Sequence, residues 1–176
     1  MCIAIASERG NKLPDEKTLK NCWNNNPDGA GFAFENKGKI QIHKGFMKFD
    51  DFINALNKAD KFHKLEDKAC LIHFRITTHG GTDPKNTHPF PISSDINRLK
   101  ATKAVTDYAC IHNGVIDLTT ADARREIDNS DTQIFIRDYL SLIANENNWQ
   151  NKEHNLKLIE RLIGTNKIAI LDSTGS

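Results

Sequence analysis

The stretch Ala69-Cys70-Leu71-Ile72-His73-Phe74-Arg75-Ile76-Thr77-Thr78-His79-Gly80 changes character halfway along. Residues 69–76 read as a buried strand, an apolar run of strand length. From His73 onward polar groups take over, and the strand ends on an arginine, two threonines and a histidine converging on a glycine. Residues 104–111, AVTDYACI, repeat the pattern as a second strand that ends on Ile111-His112-Asn113-Gly114. Between the two lies a Gly- and Pro-rich loop holding Asn86-Thr87-His88-Pro89-Phe90, and beyond them Ser130-Asp131-Thr132 opens a helix.

Outward from this pair the chain reads as strands interleaved with helices. Residues 2–6, CIAIA, form a short apolar strand that starts at the terminus itself. Pro14-Asp15 opens a helix carrying Leu19, Cys22 and Trp23, which Asn24-Asn25-Asn26-Pro27 stops. Residues 31–34 and 39–43 are strands joined by Asn36-Lys37-Gly38, a hairpin signal. Phe49, Phe52, Ile53 and Leu56 fall at i, i+3, i+4 and i+7, which predicts an amphipathic helix over 49–60. Helices over 131–144 and 153–163 precede a last strand at 167–171. Locally pairing strands with grouped helices predict an α+β fold, antiparallel sheet with helical layers outside. No repeat or linker divides the chain, so residues 1–176 are expected to form a single domain.

The composition narrows the function. The 176 residues carry 24 Lys+Arg against 23 Asp+Glu, a formal charge of +1. Nucleic-acid binders normally carry a basic excess or stripe that this chain lacks. No apolar run approaches the ~20 residues of a membrane span, and MCIAIASERG has no basic leader, so a cytoplasmic protein is expected. The cysteines at 2, 22, 70 and 110 include no C-x-x-C pair, which argues against a disulfide framework and a zinc knuckle. Cys22, Cys70 and Cys110 sit in apolar surroundings and read as packing, and the Lys-rich stretch 58–68 as a solvated face. About a tenth of the residues are asparagine, a composition that resembles an AT-rich genome or a phage.

Each polar piece has an ordinary reading. An arginine at a strand end is more often a surface ion pair, Asn-Gly more often a hairpin turn, and Ser-Asp-Thr an N-cap. A cysteine such as Cys2 is more often a buried strand residue. Their joint occurrence in this order, behind a cysteine that removal of Met1 would leave as the first residue, is what chance does not readily supply.

Taken together, Met1-Cys2-Ile3, Asn26-Pro27-Asp28-Gly29-Ala30-Gly31, His73 to Gly80, Asn86 to Pro89, His112-Asn113-Gly114 and Ser130-Asp131-Thr132 resemble a class II glutamine amidotransferase domain, one of the N-terminal-nucleophile hydrolases. The stretch from His73 to Pro89 is similar to the glutaminase domain of glucosamine-6-phosphate synthase, and Asp28 to Gly31 to small unfused members. The resemblance spans roughly residues 2–140. It implies a four-layer α/β/β/α sandwich of antiparallel sheets with Cys2 at the start of a central strand. It further implies that Cys2 attacks the side-chain amide of glutamine, with Asn113 and Gly114 stabilising the oxyanion. Arg75 would hold the substrate carboxylate, Asp131 its ammonium, and Thr78 and His79 would line the carboxylate end. No metal and no cofactor is implied. Nothing in the sequence uses the ammonia, so a free-standing glutaminase or a subunit feeding an ammonia-accepting enzyme in trans is expected. Two alternatives stand beside it: hydrolysis of another amide, and a catalytically silent binding module.

The chain departs from the family pattern in places. Gln133 stands where an acidic residue commonly follows Asp-Thr, and Ile76 where an aromatic often follows the arginine. A segment from about 91 to 103 is extra and is expected to lengthen a loop over the pocket. Family domains also usually continue into further strands of the second sheet, so the sequence as given, ending at Ser176, predicts a C-terminally short sheet.

Overall fold

A computed structural model of the chain describes residues 1–77, 81–117 and 128–175. The first sheet is built from β1 (Ile3–Ser7), β2 (Ala30–Asn36), β3 (Lys39–Phe46), β4 (Cys70–Phe74) and β6 (Lys103–Thr106), in the order β1-β4-β2-β3-β6. The second holds β5 (Phe90–Pro91), β7 (Tyr108–Asn113) and β8 (Lys167–Asp172), in the order β5-β7-β8. Every strand pairing is antiparallel. The mixed α/β chemistry read from the sequence is therefore present, with antiparallel sheets. One placement differs: β1 pairs with β4 alone, which makes it an edge strand rather than a central one among the described residues.

Helices cover the outer faces. Helix α1 (Glu16–Asn25) is capped by Asp15, whose carboxylate accepts from the Thr18 N–H at 2.8 Å. Helix α2 (Phe49–His63) buries Phe49, Phe52, Ile53, Leu56 and Ala59, the face its periodicity predicts. These side chains meet Phe32, Phe34, Ile72 and Phe74 of β2 and β4 in one apolar cluster. A second cluster lies between the sheets, where Ala33, Ile40, Ile42 and Leu71 meet Ala109, Ile111 and Leu171. A third joins Phe90 and Cys110 to Phe135, Ile136 and Leu140 and to Ile159 of α6 (Glu153–Ile163). Each fully buried large apolar side chain contributes about 1.5–3 kcal/mol, so all three layers of packing hold the sheets in place.

The single strand expected over 104–111 is two strands, and they belong to different sheets. β6 pairs with β3, whereas β7 pairs with β5 and β8. Asp107 stands at the crossing, its carboxylate 2.6 Å from Lys39 Nζ. Residues 104–106 are Ala-Val-Thr and 108–111 Tyr-Ala-Cys-Ile, and the Asp107 between them is the one charge that interrupts the run. Residues 91–103 do not form a plain loop: they hold α3 (Ile96–Lys100), whose Leu99 is buried in the third cluster. Lys44 ties this segment to the sheet. Its buried ammonium donates to the Leu99 carbonyl at 2.7 Å and the Lys85 carbonyl at 3.0 Å, and lies 3.8 Å from the Phe90 ring. Lacking a carboxylate in either hydrogen bond, Lys44 is driven well below its ordinary pKa by burial.

The segment over 131–144 begins as α4 (Asp131–Phe135), passes through one π-helical turn (Ile136–Leu140) and ends as α5 (Ser141–Ile143). Gln133 completes a reciprocal cap at its start: the Gln133 N–H donates to Ser130 Oγ at 3.2 Å, and the Ser130 N–H to Gln133 Oε1 at 2.8 Å. A glutamine serves this purpose as well as an acid, which accounts for the departure noted at that position.

Gly31 is fixed by space. A Cβ there would run into the carbonyl oxygen of His88 and lie 2.8 Å from Lys44 Cα, both backbone atoms that cannot swing aside. Gly31→Ala is expected to cost about 1–3 kcal/mol by overpacking, read as a lower urea midpoint at unchanged slope. An unchanged midpoint would show that the His88 segment can retreat.

Candidate active site

The site arises where the inter-sheet layer turns polar. Strand side chains alternate between faces. On β4, Cys70, Ile72 and Phe74 face the cluster under α1 and α2, and Leu71 faces the other sheet. His73 and Arg75 continue the Leu71 face, and both are buried. On β7, Ala109 and Ile111 face the first sheet, and Asn113 is the next member of that face. His73 then bridges the sheets: its ring Nε2 lies 3.0 Å from the His112 carbonyl, so Nε2 carries the proton and donates.

Cys2 is brought to the same place by register. Ile3 pairs with Phe74, which sets Cys2 beside the residues just past β4. Its Sγ lies 3.6 Å from the Ile76 carbonyl, and the Ile76 N–H donates to it at 3.5 Å. The thiol is partly exposed, unlike those of Cys70 and Cys110, which burial pushes up to about 12. Burial raises the Cys2 thiol too, but the Ile76 N–H, the Arg75 guanidinium and the terminal amine oppose that rise, while Asp131 adds to it.

Arg75 is held on the opposite flank by the segment 26–31, for which sequence reading found a resemblance but no task. The Arg75 N–H donates to the Gly29 carbonyl at 2.8 Å, and the Asp28 N–H to the Arg75 carbonyl at 3.0 Å. The Asp28 carboxylate accepts from the Thr77 N–H at 2.8 Å. The guanidinium Nη1 donates to Thr77 Oγ1 at 2.8 Å and the Gly81 carbonyl at 2.7 Å. Asn26, also buried, donates its side-chain amide to the Met1 carbonyl at 2.8 Å. One turn thus orients both the arginine and the N-terminal residue, a pairing that no local pattern reveals.

Asn113, Gly114 and Cys2 line a cavity of about 400 Å³ together with Ile76 and residues 165–167. A smaller space of about 20 Å³ lies on the other side, lined by Cys2, Gly114, Arg75 and Asp131 with His88 and His112. Cys2 and Gly114 stand between the two. Asp131, the first residue of α4, accepts from the Thr132 N–H at 2.8 Å and the Ile116 N–H at 2.8 Å, and its charge suits a helix N-terminus. None of residues 91–103 lines either space among the described residues, contrary to the expected loop over the pocket. Cys2, Arg75, Asn113, Gly114 and Asp131 are brought together; Thr78 and His79 lie outside the described residues.

Behind the site three histidines pack together. The His73 and His88 rings lie 4.1 Å apart, and Thr132 Oγ1 sits 2.8 Å from His112 Nδ1 and 3.3 Å from His88 Nε2. Burial pushes His73 down to about 3 and His88 well down, and lowers His112 against the opposing pull of Asp131. They are therefore neutral. Among the described residues no group of three His, Cys, Asp or Glu side chains converges to hold a metal ion, and no helix is long and apolar enough to cross a membrane.

No protein-family model matches the chain. Ninety residues, 51% of the chain, are 32% identical to the glutamine–fructose-6-phosphate aminotransferase (isomerizing) of Pyrococcus horikoshii. The chain spans 12% of the length of that protein, so the likeness concerns a minor part of it. It is a partial similarity to a glutamine amidotransferase.

The neutral histidines make stability depend on pH. Each must gain a proton on unfolding at acidic pH, because its folded pKa lies below the ordinary ~6.5. Their contribution is full above pH ~6.5 and is lost as pH falls, for His73 until about 3. The loss approaches about 1.4 kcal/mol per pH unit for each histidine. Urea midpoints taken between pH 7.5 and 5 are expected to fall with pH, and His73→Asn to flatten the slope. A midpoint constant over that range would mean that the histidines titrate in the folded state.

Proposed function

We propose that this chain is a class II glutamine amidotransferase domain with the four-layer N-terminal-nucleophile arrangement, and that it hydrolyses glutamine to glutamate and ammonia through Cys2. The observation that carries the proposal is the convergence on Cys2 Sγ of a buried arginine and an aspartate with an Asn-Gly turn. A free amino-acid end needs one group of each sign. Arg75 offers a planar fork to the α-carboxylate and Asp131 a carboxylate to the α-ammonium.

With Met1 removed, the α-amine of Cys2, of ordinary pKa about 7.7–8.0, takes the thiol proton. That base is needed because burial raises the thiol. The sulfur then bonds to the side-chain amide carbon of glutamine, and the carbonyl electron pair moves to oxygen. The Asn113 side-chain amide and the Gly114 N–H receive that oxyanion. Gly114 has φ +136°, a conformation that a glycine adopts without strain. Collapse of the intermediate breaks the C–N bond, and the amine's proton leaves with ammonia. Water then attacks the thioester, releasing glutamate and restoring the thiol. The Ile76 N–H, 3.5 Å from Sγ, stabilises the thiolate between these steps. We further propose that the ammonia passes to an acceptor enzyme in trans, in the cytoplasm, and that the gene is phage-like.

The test uses protein whose intact mass shows Cys2 as the first residue. Glutamate release from glutamine is expected, with Cys2→Ala inactive and Asn113→Ala slower by about 10²–10³-fold at an unchanged unfolding midpoint. Failure of the processed protein both to release glutamate and to react at Cys2 with a glutamine-analogue electrophile would sink the proposal.

A further inference from the structure

Asn166 lies beyond the residues on which the sequence resemblance rests, in the turn between α6 and β8. Register places it beside the site: Asn113, the last residue of β7, pairs with Lys167, the first of β8. The Asn166 side chain reaches across that pair. Its Nδ2 donates to the Val115 carbonyl at 3.0 Å and to the Ile163 carbonyl at the end of α6 at 2.6 Å. Its amide lies against Gly114, where any Cβ would collide with Oδ1 and lie 2.7 Å from Cγ. On the far side of the same turn, Asp131 accepts from the Ile116 N–H at 2.8 Å. Gly114–Ile116 is therefore gripped from both sides, by α4 through Asp131 and by the α6–β8 turn through Asn166.

Glycine at φ +136° is the least restrained residue of this turn, and its own N–H is the group that must point at the reacting carbon's oxygen. An oxyanion donor acts only if it is held in place before the charge develops. We propose that Asn166 is a positioning residue for the Gly114 donor, clamping the turn against α6 so that the N–H faces Cys2. The inference rests on the glutaminase reading above. It differs from a mere helix cap, because the second hydrogen bond and the packing go to residues 114 and 115 and not to the helix.

The experiment compares Asn166→Asp and Asn166→Ala with the unsubstituted, processed protein. Aspartate keeps the size but sets an acceptor against the Val115 and Ile163 carbonyls, and alanine removes the clamp without adding charge. Each is expected to lower kcat, aspartate by about 10–100-fold, the range a misplaced catalytic group costs. The KM for glutamine and the inhibition constant of glutamate are expected to stay within about twofold, because Arg75 and Asp131 are untouched. Asn166 is only partly buried, so both variants are expected to fold. An unchanged kcat, or a fall in kcat matched by a rise in KM and a lower melting temperature, overturns the proposal and leaves the glutaminase reading standing. Absence of turnover by the unsubstituted protein overturns both.

Discussion

The hydrogen bond from His73 Nε2 to the His112 carbonyl, 3.0 Å long and fully buried, is the contact on which the candidate site depends. It joins the two sheets at the end of the apolar layer formed by Leu71, Ala109 and Ile111. Apolar burial is non-directional and would tolerate small slides of one sheet over the other. A buried hydrogen bond does not, because misalignment leaves an unsatisfied donor worth about 1–3 kcal/mol. Two residues past His73 stands Arg75, and directly past His112 stands Asn113. Fixing His73 on the His112 carbonyl therefore fixes Arg75 relative to Asn113.

Much of this architecture is legible locally. The α2 face, the bounds of α6 and the strand character of residues 70–74 follow from periodicity, because each element buries one face and the residues announce which. What periodicity does not report is the partner. Residues 104–111 look like one strand because apolar residues stand on both sides of Asp107, yet the two halves pair with different sheets. The resemblance implies a central place for β1, yet among the described residues it pairs on one side only. The site divides along the same line. The candidate nucleophile and charges come from short motifs, whereas Asp28 and Asn166 act through contacts 49 and 51 residues away in sequence, which no local pattern encodes.

Charge at the site is a local matter. The chain carries only +1 overall, so no general field acts on the Cys2 thiol. What acts is a balance of near neighbours: burial and Asp131 raise it, and Ile76, Arg75 and the terminal amine lower it. A thiol so balanced rests protonated.

The same economy governs the layer behind. Thr132 follows Asp131 directly, and its hydroxyl meets both His112 and His88. The same hydroxyl donates its proton to Asp131 Oδ1 at 3.3 Å, and its two lone pairs accept from the ring N–H groups. Protonating His88 would place a charge beside Lys44 and Arg75, whose charges add to the burial that depresses it. Asp131 is thus joined through Thr132 to the histidines that line the smaller space. Helix α4 supplies the carboxylate and the first sheet the sulfur and the arginine. Neutral histidines between them turn two independently packed layers into one site.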